Sequence, residues 1–181
     1  MQSITSRSYI INIASRLQIK ETIFLLSGAV LIPLLIHLLP AIDGRPAGAY
    51  LLPIFYAPLI AVLFFRFHTA VITALFSPVI NYFITGNPNF QLIQVMMVQL
   101  GLFVTILYFI SKIDKLRLVS APVSYILTLA ALFIILSAAT SLLPGINALK
   151  FTINSILTGI PGIIILATVN LAAVKFFGKN N

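Results

Sequence analysis

Apolar positions run through this chain in blocks that charged residues never interrupt: 22–42, 50–65, 69–111, 118–149 and 151–174 contain no Asp, Glu, Lys or Arg. A bilayer core of about 30 Å takes roughly 20 helical residues to cross, so these blocks have the lengths of membrane spans. The block 69–111 is long enough for two and divides at Thr85-Gly86-Asn87-Pro88-Asn89, where Gly, Asn and Pro supply turn chemistry. Leu143-Pro144-Gly145-Ile146-Asn147 breaks the fifth run in the same way. The pattern predicts an all-α integral membrane protein with six spans, near 22–41, 50–65, 69–85, 91–111, 119–140 and 151–174, the second and third being short. It forms a single domain over 1–181, without a linker or a soluble extension large enough to fold alone.

The basic residues orient this array. With six spans, Arg7, Arg16, Lys20, Arg66, Lys112, Lys115, Arg117, Lys175 and Lys179 fall on one side, and only Arg45 and Lys150 on the other. Lys and Arg accumulate on the cytoplasmic side of short loops, so both termini are expected in the cytoplasm and the protein in the cytoplasmic (inner) membrane. The uncharged stretch after Lys20 exceeds a signal-peptide core and lacks a cleavage site, so it reads as a retained first span.

Composition narrows the chemistry. At 60% hydrophobic and 8% charged residues, the chain has too little polar surface for a water-soluble globule. The net charge of +8 sits at span ends, where anionic lipid favours it, and calls for no nucleic acid. There is no cysteine, hence no disulfide framework, and any metal site would have to come from two His and three acids. No phosphate-binding Gly-rich loop precedes a Lys-Ser or Lys-Thr pair, and no predicted span contains an acid. The chain is therefore expected to be neither an enzyme nor an ATPase, to carry no cofactor or metal, and to draw energy from a gradient or another subunit.

The unusual residues gather in the gaps predicted to lie outside. Asp43 and Arg45 stand two apart in a Gly/Pro turn, either presenting a charge pair to a polar ligand or pairing with each other. Lys150 is the other outer cation, at the start of the last span. Within spans, His37, Asn81, Gln94, Gln99, Asn154 and Asn170 are polar, and an amide in hydrocarbon needs a partner helix or a cavity. Gln94, at the outer end of the fourth span, reaches the same side as the Thr85 loop, whereas Gln99 lies near mid-membrane and suits an interhelical bond.

Three stretches resemble a known family: Leu51-Leu52-Pro53 leading into Ala57-Pro58-Leu59-Ile60-Ala61, then Phe76-Ser77-Pro78-Val79-Ile80-Asn81-Tyr82-Phe83-Ile84-Thr85-Gly86-Asn87-Pro88, then Val95-Met96-Met97-Val98-Gln99-Leu100. Over roughly residues 37–108 the chain is similar to the substrate-binding (S) subunit of energy-coupling factor (ECF) type vitamin transporters. The resemblance implies six helices, cytoplasmic termini and an outward pocket for a micronutrient. It also implies delivery through a transmembrane coupling subunit powered by two ATPases. By position, Asn81, Thr85, Asn87 and Asn89 match the end of the third span and its loop. The chain departs from the family at Pro33, which stands four residues after Ala29 where the first helix usually carries a second small residue.

The expected pocket combines Asp43, Arg45, Asn81, Thr85, Asn87, Asn89, Gln94 and Lys150 for polar groups with Tyr50, Tyr82 and Phe90 against rings or apolar parts of a ligand. The competing reading is a non-transporting membrane scaffold that recruits partners, as in cell-envelope morphogenesis. That role calls for informative inner loops, whereas here the inner gaps are short and simply basic.

Overall fold

A computed structural model describes residues 2–42, 44–86, 89–138 and 146–177, with side chains from residue 19 to 176 within those ranges. Among the described residues there is no strand, and an isolated bridge between Ile42 and Arg45 is the one extended pairing. The helices are α1 (Gln2–His37), α2 (Ala47–Leu51), α3 (Tyr56–Phe64), α4 (Phe67–Thr85), α5 (Phe90–Ile110), α6 (Ser120–Ala138) and α7 (Ala148–Phe177), with 3-10 turns at Pro53–Phe55 and Asp114–Val119.

Five helical segments are long and apolar enough to cross a membrane: Ile19–His37, Phe67–Thr85, Phe90–Ile110, Asp114–Ala138 and Ala148–Phe176. Large apolar side chains such as Phe24, Phe83, Ile134 and Leu157 stand on their outer surfaces, 73, 81, 67 and 63% exposed. Lipid would solvate such a surface and water would not. The chain is an all-α protein of the multi-pass membrane type.

Helix ends follow local chemistry. Gly86 closes α4 at φ 69°, its N–H donating to the Tyr82 carbonyl at 2.7 Å, the left-handed cap that glycine adopts without penalty. Asn89 then opens α5, its side-chain oxygen accepting from the Leu92 N–H at 3.0 Å. Asn147 opens α7 in the same way through the Lys150 N–H at 2.9 Å.

The segment expected as one span over 50–65 is broken. Helix α2 stops at Leu52, which adopts φ 52°, ψ 42°, and Pro53 restarts the chain as a 3-10 turn that leads into α3. A left-handed leucine costs about 1–2 kcal/mol, so something outside the segment must hold it. Helix α7 does so. A Cβ on Gly162 would lie 2.8 Å from the Leu51 carbonyl carbon and 2.6 Å from Leu52 Cγ, and one on Gly159 would lie 3.1 Å from the Tyr125 hydroxyl. The Gly159-Ile160-Pro161-Gly162 face is thus a notch into which the Leu51–Leu52 elbow drops, and the Tyr56 hydroxyl donates to the Leu51 carbonyl to brace it.

Beyond the elbow, α3 packs against α1, α4, α5 and α7, with Ala57, Pro58, Leu59 and Ala61 buried. Phe55 sits edge-on to both Phe103 and Tyr125, with ring centroids 5.0 and 5.2 Å away. Helix α4 meets its neighbours through small side chains, Thr69, Ala70, Thr73, Ala74 and Ser77, all fully buried. Small residues let membrane helices approach closely where no hydrophobic force draws them together.

The helix ends sort into two groups. The Phe67 and Tyr108 rings, 4.6 Å apart, bring the start of α4 to the end of α5. Asn170, near the end of α7, donates to the Arg117 and Leu118 carbonyls at 3.1 and 2.7 Å and accepts from Ser120 at 3.0 Å, just ahead of α6. At the opposite end, the close of α1 and of α4 and the opening of α2 and α5 surround a common space.

Candidate functional site

That space is a cavity of about 660 Å³, within the range of small-molecule sites. Its walls come from elements with different reasons for being there. Pro33 and His37 are on the last turns of α1; Pro78, Asn81 and Thr85 are on the last turns of α4; Met96 reaches in from α5. The remaining wall is the broken segment, through Pro46, Gly48, Ala49, Pro53 and Ile54. The elbow at Leu52, seated on α7, therefore sets where this wall stands.

Four prolines line the cavity, Pro33 from α1, Pro46 and Pro53 from the broken segment and Pro78 from α4. A proline inside a helix removes an N–H and strands the carbonyl four residues back. Pro33 strands that of Ala29, and Asn81 supplies the missing donor: its Nδ2 lies 3.1 Å from the Ala29 carbonyl and 2.9 Å from that of Ser77. Both amide hydrogens are thereby used. Asn81 is only 8% exposed, and its Oδ1 accepts from no described residue. The Thr85 hydroxyl donates to the Asn81 carbonyl at 2.8 Å and continues the polar edge toward the cavity mouth.

Among the described residues the lining contains no Asp, Glu, Lys or Arg. His37 is its one titratable side chain, standing exposed at the mouth with its ring carbon 3.8 Å from where a Cβ on Gly48 would be. The chemistry on offer is apolar surface, an amide oxygen, a hydroxyl and an imidazole. Such groups are suited to holding and orienting a small molecule.

Of the residues expected in a pocket, Asn81 and Thr85 line this one. Asp43 and Asn87 lie outside the described residues. The others stand elsewhere. Arg45 is exposed and tied by its backbone to Ile42, and the Tyr50 hydroxyl donates toward the Ile42 carbonyl at 3.4 Å. Tyr82, half-buried, sits on another face of α4 beside Phe83, ring centroids 5.8 Å apart. Asn89 is occupied as the α5 cap, and Phe90 is 65% exposed. Gln94 is exposed; it is two residues from Met96, about 200° around the helix, and so turns from the cavity that Met96 enters. Lys150 is exposed on the first turn of α7. Gln99 is 7% exposed in mid-α5.

The sequence reading missed all four lining prolines, Pro33, Pro46, Pro53 and Pro78, together with Gly48, Ala49, Ile54 and Met96. A usable signal was present in prolines placed inside apolar helical runs, each of which frees a carbonyl that must find a donor. A second, shallower groove of about 370 Å³ between α1 and α4 is lined by Ile23, Leu26, Val30, Leu31 and Ile80 together with Ser27, whose hydroxyl is spent on the Ile23 carbonyl. It offers apolar surface alone. Set beside known proteins, the chain matches no family model, no curated protein and no solved structure.

Proposed function

We propose that this protein is a membrane-embedded substrate-binding subunit for uptake of a vitamin or related micronutrient, working with an ATP-driven coupling module, in the manner of the ECF S subunits it resembles. The observation that carries this reading is the cavity itself. It opens at one end of the bundle, is walled by four separate stretches of chain, and draws all of its described lining except Pro33 from the segment 37–108 that bears the resemblance.

The reading takes α2, the elbow and α3 together as a sixth, bent pass, since they lead from the cavity end to Arg66 at the opposite end. Lys20, Arg66, Lys112, Lys115, Arg117 and Lys175 then share one end and Arg45 and Lys150 the other. The positive-inside rule places the first group in the cytoplasm and the cavity outside, where a scavenged nutrient arrives. A coupling subunit with its ATPases would supply the energy for release inward.

The test is mass spectrometry of small molecules released on denaturation from the detergent-purified protein and from its Ala49→Phe variant, in which a ring fills the cavity. A vitamin-sized compound at near-stoichiometric yield in the wild type and depleted in the variant is the expected outcome. Equal recovery from both proteins, or a purified wild type that retains nothing and binds no vitamin added back, would favour the scaffold reading.

A further inference from the structure

We infer that the cavity selects an uncharged, largely apolar ligand that donates a hydrogen bond to Asn81 Oδ1. This deepens the binding role proposed above and rests on it. Two independent observations point the same way. The described lining, about 660 Å³ in extent, carries no Asp, Glu, Lys or Arg. A charged ligand entering it would shed its hydration with no opposite charge among the described lining residues to replace it, and burial of an uncompensated charge is far more costly than burial of a neutral polar group. A ligand carboxylate held by an outer-loop cation would need Arg45 or Lys150, and neither lines the space.

The second observation concerns Asn81. Its two amide hydrogens are committed to the Ala29 and Ser77 carbonyls, so the orientation of the amide is settled by the protein, and Oδ1 is left as an acceptor. The side chain is more than nine-tenths buried and belongs to the cavity wall. An amide oxygen that an entering guest shuts off from water is costly to leave unmet, and a ligand N–H or O–H satisfies it. Because Nδ2 is held from behind, the acceptor is preset and the ligand spends nothing on orienting it. The four proline faces offer flat, rigid apolar surface on which a planar ring can lie.

The chain contains no Trp, so indole fluorescence can be read from a probe without background from the protein. Four indoles of nearly one shape test the inference: indole-3-acetamide, its 1,N,N-trimethyl derivative, indole-3-acetate and tryptamine. They are titrated into the full-length protein in nanodiscs, with excitation beyond tyrosine, and again into Ala49→Phe and Met96→Phe, whichever elutes as a monodisperse species. The expected result is saturable binding of indole-3-acetamide, weakened about tenfold or more by either charge, weakened comparably by trimethylation, and lost in the filled variant. Tighter binding of the acetate or of tryptamine, abolished by filling, leaves the cavity as a binding site and overturns its preference for neutral ligands. Equal binding of the amide and its trimethyl derivative overturns the role of Asn81. Binding of none of the four, or binding unaffected by filling, overturns the cavity reading itself.

Discussion

Asn81 and Pro33 are two halves of one local arrangement. Replacing Asn81 with Leu strands the Ala29 carbonyl inside the bundle and is expected to cost about 1–2 kcal/mol, seen as a lower midpoint of thermal unfolding in detergent. Pro33→Ala restores an N–H to α1 and gives Ala29 its ordinary helical donor. Asn81→Leu should therefore cost less in a Pro33→Ala background than in the wild type, a non-additivity of the kind that contacting residues show. Equal costs in both backgrounds would show that the bond across α1 and α4 contributes nothing. The need of Asn81 for a partner was legible in the sequence, because an amide within an apolar run must meet one. The identity of the partner was not, since Ala29 and Asn81 are linked only by the way α1 lies along α4.

Two of the long helices were legible almost to the residue: α4 over Phe67–Thr85 against an expected 69–85, and α5 over Phe90–Ile110 against 91–111, whereas α1 begins at Gln2 rather than near 22 and α7 runs past both ends of the expected 151–174. The Gly86 and Asn89 caps explain this success, because both signals are local. The break at Leu52 was illegible for the opposite reason. Nothing in Leu51-Leu52-Pro53 requires a left-handed leucine; the requirement comes from Gly159 and Gly162, more than a hundred residues later. Gly162→Ala should be severe, since the atoms its methyl would strike include Leu51 backbone, and we expect a loss of about 3 kcal/mol or failure to accumulate, by analogy with overpacked cores. Gly159→Ala should be milder, as it meets the movable Tyr125 hydroxyl and Leu52 methyls. Thermal stability of the two variants side by side, scored also by yield, checks the order; a reversal would remove α7 as the support of the elbow.

At the scale of the whole molecule, the absence of cysteine lets single substitutions report sidedness without background. In intact cells, a membrane-impermeant maleimide should label Arg45→Cys and Lys150→Cys, whereas Arg66→Cys, Lys112→Cys and Lys175→Cys should react only after permeabilisation. Labelling of Arg45→Cys and Arg66→Cys from the same side would show that the bent segment between them does not cross. The alternation of basic gaps carries this expectation from the sequence, whereas the cavity was not legible there, because it is formed by prolines and small residues that composition treats as ordinary membrane-helix content. The polar loops drew the expectation outward to Arg45, Asn89 and Lys150; in the fold, two of these are exposed and the third caps a helix.

The proline walls also decide where this protein has room to change its tastes. A ring-locked backbone gives way to neither a larger nor a smaller guest, so the walls from α1, the broken segment and α4 act as a fixed mould. Met96 is the opposite: an unbranched, deformable side chain that can swing aside or fold down to suit its neighbour. Any drift in preference among related guests would then be written at residue 96, one position on α5, while the rest of the mould stays as folding left it.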